Sequence, residues 1–429
     1  MIKNRRVKAD CKIYQMLKKQ AGDKHISFHT PGHKNAKWDI TELAYSDNLS
    51  CPNGVIAQAE KDISALTGAH QSFILTDGST CGVLSMLHAV KALGAKRILS
   101  REDAHKSLYN GCALLGLELL LLPEKKENGV PTPLKKDDIL PQILKECDAL
   151  FVTSPNYYGG VADLAELSAL CKQNRKWLLI DGAHGGHLRF EKNLYAGAFA
   201  DFWVDGVHKS LPAFTQGAVV SAWDEKGAAA LKNALDIFRT SSPSYPIMAS
   251  VEYAVKYPRN ERLENAVKQF AKETKRIHLG QDWTKLIALF GKHAFKAERR
   301  LQSEGIFAEF CDGNAVCFYL SPAQSNRAFI RLKKRLKQLF DEYPYEQENT
   351  VERNPAPLVF EKSEVEWVEL TDSENHVSAF NVGLFPPCTP LIKNGEIITK
   401  EKINLLIQAN NVFGLVDQKI AVYKKEEKI

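Results

Sequence analysis

A lysine closes one apolar run of this chain and an aspartate closes another. FWVDGVHKS, Phe202 to Ser210, carries His208 and Lys209, and WLLIDGAHGGH, Trp177 to His187, carries Asp181, Ala183, His184 and His187. A lysine at a strand end is either a solvated surface charge or a buried amine. Beside His208, in so apolar a segment, burial would lower its pKa and let it attack a carbonyl carbon. Asp181 could hydrogen-bond a protonated ring nitrogen, while Ala183 leaves room for a flat ring. His184 and His187 could instead ligate a metal, but such a site needs a third ligand, and Gly185-Gly186 argues against a rigid helical pair.

Two further motifs sit between a strand and a helix. In TDGSTCG, Thr76 to Gly82, small residues let backbone N–H groups and the Ser79 and Thr80 hydroxyls point at an anion, aided by the helix N-terminus. In REDAHKS, Arg101 to Ser107, His105 could stack on a planar ligand. Singly, each motif also reads as a plain capping turn. Together they hold a phosphate cup, a stacking ring, a ring-nitrogen acid and an amine, the inventory needed to hold pyridoxal 5′-phosphate.

One sheet edge must gather these four motifs. SFILT, RILS, LELLLLP, ALFVTSP, WLLIDGAH, FWVDGVH and GAVVSAW read as strands that alternate with helix-period segments such as CGVLSMLHAVKALG and DLAELSALCKQN. The strands are apolar almost throughout, as expected where helices cover both faces of a mostly parallel sheet. The spacing therefore predicts an α/β large domain over 61–290, preceded by an irregular segment over 1–60. A smaller α+β domain is expected over 291–429, with helices at Lys292 to Gly305, Ser325 to Phe340 and Lys400 to Asn410 and a long connection at Asp341 to Pro357.

Composition narrows the function classes. The 429 residues are 44% hydrophobic and 25% charged with a net charge of +6, which excludes a disulfide-stapled miniprotein and argues against disorder. No basic run interleaved with aromatics favours nucleic acid, and RLKKRLK, Arg331 to Lys337, reads as a solvated helix face. Nine scattered cysteines without a C-x-x-C pair fit a reducing cytoplasm. The basic start has no apolar signal-peptide core, and the greasiest stretch, Ala113 to Leu122, is too short to span a membrane. Cytoplasmic location, a small-molecule substrate and no membrane or nucleic-acid partner are the expectations.

The motifs also carry a family resemblance. The chain resembles the bacterial Orn/Lys/Arg decarboxylases, which have the aspartate-aminotransferase fold (fold type I of the pyridoxal-phosphate enzymes). The markers run from HTPGHK, His29 to Lys34, through DGST, HKS, SPNYYGGVADL, DGAHGGH, HKSLPAFTQ and SSPSYPIMAS to FPPCTPLI, Phe385 to Ile392. The resemblance implies that Lys209 holds the cofactor covalently, that Asp181 pairs with its ring nitrogen, and that His105 and Ala183 lie against the two ring faces. It adds Ser79, Thr80 and His208 as phosphate ligands, His184 as a further cofactor contact, and Ser242 as a residue lent by a neighbouring subunit in at least a dimer. It implies a basic amino acid as substrate, with Asp39, Glu42, Asp47 and Asp77 as candidate partners for its side chain. His29 and His33 would belong to an active-site loop, and the chain looks like the short form without an extra N-terminal domain. Four positions depart from the family pattern: Gly182 replaces an acid, Gly206 a serine, Cys388 a glycine, and Phe380 an expected glutamate. Aminotransferases and lyases of the same fold use the same lysine, aspartate and phosphate cup, and a non-catalytic descendant could keep them too.

Overall fold

The computed structural model describes residues 5–23, 26–34, 37–127, 130–345, 364–384, 388–409 and 411–424. Phe385 to Pro387 of the proline-rich motif, and the connection from residue 346 onward, lie outside the described residues. Seven strands form the main sheet: β1 (Gln71–Leu75), β2 (Arg97–Arg101), β3 (Glu118–Leu122), β4 (Ala149–Thr153), β5 (Trp177–Asp181), β6 (Phe202–Asp205) and β7 (Ala218–Ala222). Their order is β1-β7-β6-β5-β4-β2-β3. The run from β6 to β3 is parallel, while β7 lies antiparallel to both β6 and β1.

Alternate residues of each strand enter different cores, which explains why the strands read as unbroken apolar runs. Phe73, Leu75, Phe151, Leu179, Phe202 and Val204 pack under helices Gly78–Ala92, Lys106–Leu115 and Glu225–Phe238. On the opposite face, Leu150, Val152, Leu178, Ile180 and Trp203 pack under helix Leu164–Asn174. Ile74 and Val219 pack there with helices Lys12–Gly22, Val55–Thr67 and Tyr245–Val255.

The N-terminal segment is not irregular throughout, as the sequence suggested. Helices Arg5–Asp10 and Lys12–Gly22 precede the loop that carries HTPGHK, and helix Val55–Thr67 follows it. Their starts are capped from a distance. The Glu252 carboxylate accepts from the backbone N–H groups of Lys12 (2.6 Å) and Ile13 (2.9 Å). Asp47 does the same for Gly54 (2.7 Å) and Ile56 (2.9 Å). A reader of the sequence looks for the cap in the adjoining residue and does not find it.

A second sheet, wholly antiparallel, contains β8 (Ile277–Leu279), β9 (Lys285–Leu289), β10 (Phe310–Cys311) and β11 (Ala315–Tyr319) in the order β8-β9-β11-β10. β9 pairs along its full length with β11, so this sheet takes in residues on both sides of position 290. One face of the sheet packs on helices Glu261–Glu273, Ala294–Ser303 and Asn326–Glu342. From the other face Ile287, Phe310 and Cys317 pack with Tyr157 of the large domain. Two three-stranded sheets and helix Lys400–Gln408 complete the C-terminal part.

Glu60 of helix Val55–Thr67 is buried beneath β1, where its Oε1 accepts from the Ile74 N–H at 3.0 Å. Burial pushes its pKa up to about 7. An unfolded glutamate ionises near pH ~4.3, so between these values the unfolded chain is ionised and the folded chain holds its proton. Stability from this site therefore falls as pH rises through that window. Glu60→Gln stays neutral and keeps the acceptor, so its stability relative to the parent should rise by up to about 3 kcal/mol between pH 4 and 8. Urea unfolding at the two ends of that range reads the difference; a constant offset would contradict it.

Candidate active site

β4, β5 and β6 end in register, with Thr153 beside Asp181 and Asp181 beside Val204. The loops that follow are thereby gathered at one sheet edge. Asp181 is the last residue of β5; it is buried, and its Oδ1 accepts from the Ala183 N–H at 3.1 Å. Burial raises its pKa, and Lys209 opposes the rise. β6 leads into a single helical turn, Val207–Ser210, which carries Lys209. The Lys209 Nζ lies 3.3 Å from the His184 Nε2. Burial pushes the Lys209 pKa down, with the Asp181 carboxylate acting in the other direction.

Rings close around this amine. His184 is buried and held edge-on between Tyr157 (4.9 Å between centroids) and Tyr319 (5.3 Å), and the Tyr319 hydroxyl donates to the Tyr157 carbonyl at 2.9 Å. Burial, then the Lys209 charge, holds the His184 pKa well below its ordinary value. His105 caps helix Lys106–Leu115, its Nδ1 accepting from the Ser107 N–H at 3.1 Å. Burial and the nearby Lys209 and Lys106 lower its pKa to about 3. The neutral ring therefore carries its proton on Nε2.

The start of helix Gly78–Ala92 is open to an anion. Its N-cap, Asp77, makes no side-chain capping bond, and Ser79 and Thr80 lie in the first turn. Gly78, at φ 78°, donates its N–H to the Gln216 carbonyl at 2.8 Å. That loop also takes the His208 Nδ1–H on the Gly217 carbonyl at 2.9 Å. Unfilled N–H groups, two hydroxyls and the helix dipole suit a phosphate.

A family model described as Orn/Lys/Arg decarboxylase, major domain, matches residues 36–288. The chain belongs to the Orn/Lys/Arg decarboxylase family. Members are pyridoxal 5′-phosphate-dependent amino-acid decarboxylases, and so is this chain. It is 28% identical to the uncharacterized protein YaaO of Bacillus subtilis (strain 168), over 97% of this chain and 99% of that one. To the arginine decarboxylase of the same organism it is 26% identical, over 92% and 93% of the two chains. The constitutive lysine decarboxylase of E. coli shares the fold, with a TM-score of 0.74 at 18% identity over 96% of this chain and 82% of that one.

The residues present fit the family's cofactor. Among the described residues, the Asp181 carboxylate accepts only the Ala183 N–H, which leaves capacity for a ring nitrogen. The Lys209 amine, the neutral His105 and His184 rings and the start of helix Gly78–Ala92 are the other groups with the chemistry to contact it. The family's departures have local causes. A Cβ on Gly206 would sit 2.6 Å from the Ala183 carbonyl oxygen, and one on Gly182 would sit 3.0 Å from the Val204 carbonyl oxygen. The two loops thus approach backbone to backbone: a side chain at 206 would push into the Ala183 carbonyl, and one at 182 would press on that of Val204. Cys388 adopts a left-handed backbone, at φ 64°, a conformation a glycine takes without strain, and its carbonyl accepts from the Lys106 N–H at 3.0 Å. Phe380 packs against Trp367 with centroids 6.2 Å apart and is half exposed.

Other expected residues of this decarboxylase go elsewhere. Asp47 is occupied by helix capping, and Asp39 pairs with His33 at 3.0 Å in an exposed loop. Glu42 accepts from the Thr41 hydroxyl at 2.6 Å, and Asp77 stays at the phosphate end. Ser242 is exposed, and the described contacts of His29 stay within its own loop. The two histidines of DGAHGGH separate: His184 faces Lys209, whereas the His187 Nε2 bonds the Asp282 Oδ1 at 2.8 Å.

That last contact opens onto a group the sequence did not reveal. Lys285, fully buried, lies 3.2 Å from the Asp282 Oδ2 and 4.5 Å from the centroid of Tyr319. Burial would raise the Asp282 carboxyl, but His187 and Lys285 hold it well below the ordinary carboxylate range. The only sequence signal was a lysine opening an apolar strand.

Two outcomes follow from this geometry. Gly206→Ser should not improve the site; overpacking of this kind costs about 1–3 kcal/mol, and cofactor affinity should fall with it. Equilibrium unfolding and a cofactor titration check this, and tighter binding would contradict it. Lys285→Met strands part of a buried ion pair and should cost about 3–5 kcal/mol in urea unfolding, with Asp282→Asn restoring some of the loss.

Proposed function

We propose that the chain decarboxylates a basic amino acid (arginine, lysine or ornithine), releasing CO2 and the matching amine of polyamine chemistry. The observation that carries this reading is a largely desolvated Lys209 amine 3.3 Å from His184 and electrostatically coupled to Asp181. The full-length likeness to an arginine decarboxylase supports the substrate class.

When bound, pyridoxal 5′-phosphate supplies an electron sink for the pair left on the α-carbon as CO2 departs. Ser79, Thr80 and His208 would hold its phosphate, and His105, Ala183 and His184 would pack about its ring. Asp181 would keep a proton on the ring nitrogen, which is what makes the ring a sink. Burial lowers the Lys209 pKa, which makes its amine easier to deprotonate and so easier to use as a nucleophile. His105 through Nε2–H, or Lys209 through Nζ, would return a proton to the substrate α-carbon. The rings of Tyr157, Tyr319 and His184 exclude water from this corner, which strengthens each charge interaction in it.

The active unit in this reading is at least a homodimer in the cytoplasm. Ile26 and Phe28, 84% and 93% exposed beside HTPGHK, favour a covering second copy. Ser242 would then serve the partner's site. None of the nine cysteines is paired, which fits a reducing compartment.

Holoenzyme supplied with arginine, lysine and ornithine in turn should release stoichiometric CO2 and amine from at least one. Lys209→Ala should lose turnover and the yellow lysine-bound absorption while remaining folded. A keto acid with no CO2 would assign the chain to transamination instead.

A further inference from the structure

Strand alternation decides which way Lys285 faces. In β9, Leu286 and Ala288 pack with Val316 and Phe318 of β11 under the helices of the small sheet. Ile287 packs on the other face, with Cys317 and with Tyr157 of the large domain. Lys285 and Tyr319 are direct partners in the β9–β11 pairing, and the same alternation puts both on the face that meets Tyr157. A lysine with no route to solvent therefore stands behind the rings of the active site.

Every part of that lysine is engaged. Its ammonium lies 3.2 Å from the Asp282 Oδ2, donates to the Thr284 hydroxyl at 2.9 Å, and sits 4.5 Å from the centroid of Tyr319. A Cβ on Gly159 would come within 2.9 Å of the Lys285 Cβ, so loop backbone lies directly on its stem. Tyr319 is pinned in turn, by this ammonium and by its hydroxyl donating to the Tyr157 carbonyl at 2.9 Å. Tyr157 and Tyr319 then pack edge-on with His184, at 4.9 and 5.3 Å between centroids. Among the described residues the His184 Nδ1 has no hydrogen bond, and the Nε2 meets only the Lys209 Nζ, at 3.3 Å. A histidine is ordinarily aimed by a hydrogen bond on its other nitrogen. Here the two tyrosine rings set where Nε2 points.

We propose that Tyr319, fixed by the Lys285 ammonium, is a positioning residue that holds the His184 Nε2 against the Lys209 amine, a role that rests on the reading of Lys209 as the reacting nitrogen. Lys285 acts through Tyr319 and touches none of the reacting atoms. An ammonium whose donors are all taken cannot turn toward the site, so its charge serves to lock a ring. Losing that ring would free His184 to rotate and let water reach the amine.

The test uses the full chain, as holoenzyme and free of cofactor, with the variants Tyr319→Leu, Tyr319→Phe and Lys285→Met. Borohydride reduction of the parent first locates its cofactor; attachment to a lysine other than Lys209 would overturn that reading, and this role with it. In Tyr319→Leu, kcat for the amino acid that the parent decarboxylates should fall about 10- to 100-fold, with KM within about twofold of the parent. Acetylation of the cofactor-free chain, followed on the Lys209 peptide by mass spectrometry, should shift to higher pH, because water reaches an amine whose pKa burial had lowered. Tyr319→Phe keeps the ring and should recover most of the turnover. Lys285→Met should lower kcat in the same way, and adding it to Tyr319→Leu should lower kcat little further, since one acts through the other. The Tyr319 variants decide the question whether or not Lys285→Met folds. Parent kcat and parent labelling in Tyr319→Leu, with the cofactor on Lys209, would overturn the positioning role alone. Fully additive losses in the double variant would overturn the part assigned to Lys285.

Discussion

Two loops at the ends of β5 and β6 meet without side chains between them, and the site depends on that contact. Gly206 lies so close to the Ala183 carbonyl, and Gly182 to that of Val204, that a Cβ on either would crowd backbone. Gly185 adds a third close approach, where a Cβ would sit 2.9 Å from the Pro155 ring. Asp181 and His184 are buried at this corner, and the half-buried Lys209 reaches the His184 ring there. Desolvation then lowers the pKa of the lysine and of both nearby histidines and raises that of the aspartate. Neutral His105 and His184 rings, and a lysine whose pKa is pulled below its ordinary value, follow from burial at this corner.

The small sheet reinforces the same corner. His187, Asp282 and Lys285 form a buried charged group that joins the loop after β5 to the start of β9. Such a group adds little net stability over an apolar equivalent, but breaking it is costly, so it fixes geometry more than it stabilises. Here it holds Tyr319 through the Lys285 ammonium, and Tyr319 in turn sets the edge of His184. The likeness to known decarboxylases and the local packing thus converge on one corner of the molecule.

Much of this was legible in the sequence, for identifiable reasons. The main-sheet strands declared themselves because both faces are covered, which removes the alternation that would blur a half-exposed strand. Asp181, His105 and Lys209 stood out because each follows such a strand. The N-terminal helices did not, because their caps, Glu252 and Asp47, arrive from other parts of the chain. Lys285 was invisible for a related reason. A single charge at the start of a short strand has no periodicity, and only the pairing of β9 with β11 places Lys285 beside Tyr319.

The central claim is that Lys209, and not the other buried amine at Lys285, is the covalent anchor. Reducing the holoenzyme with borohydride and mapping the modified peptide by mass spectrometry tests it directly. The account predicts the cofactor's mass on the peptide that contains Lys209 and on no other. Modification of Lys285, or no retained cofactor on a yellow and folded protein, would contradict it.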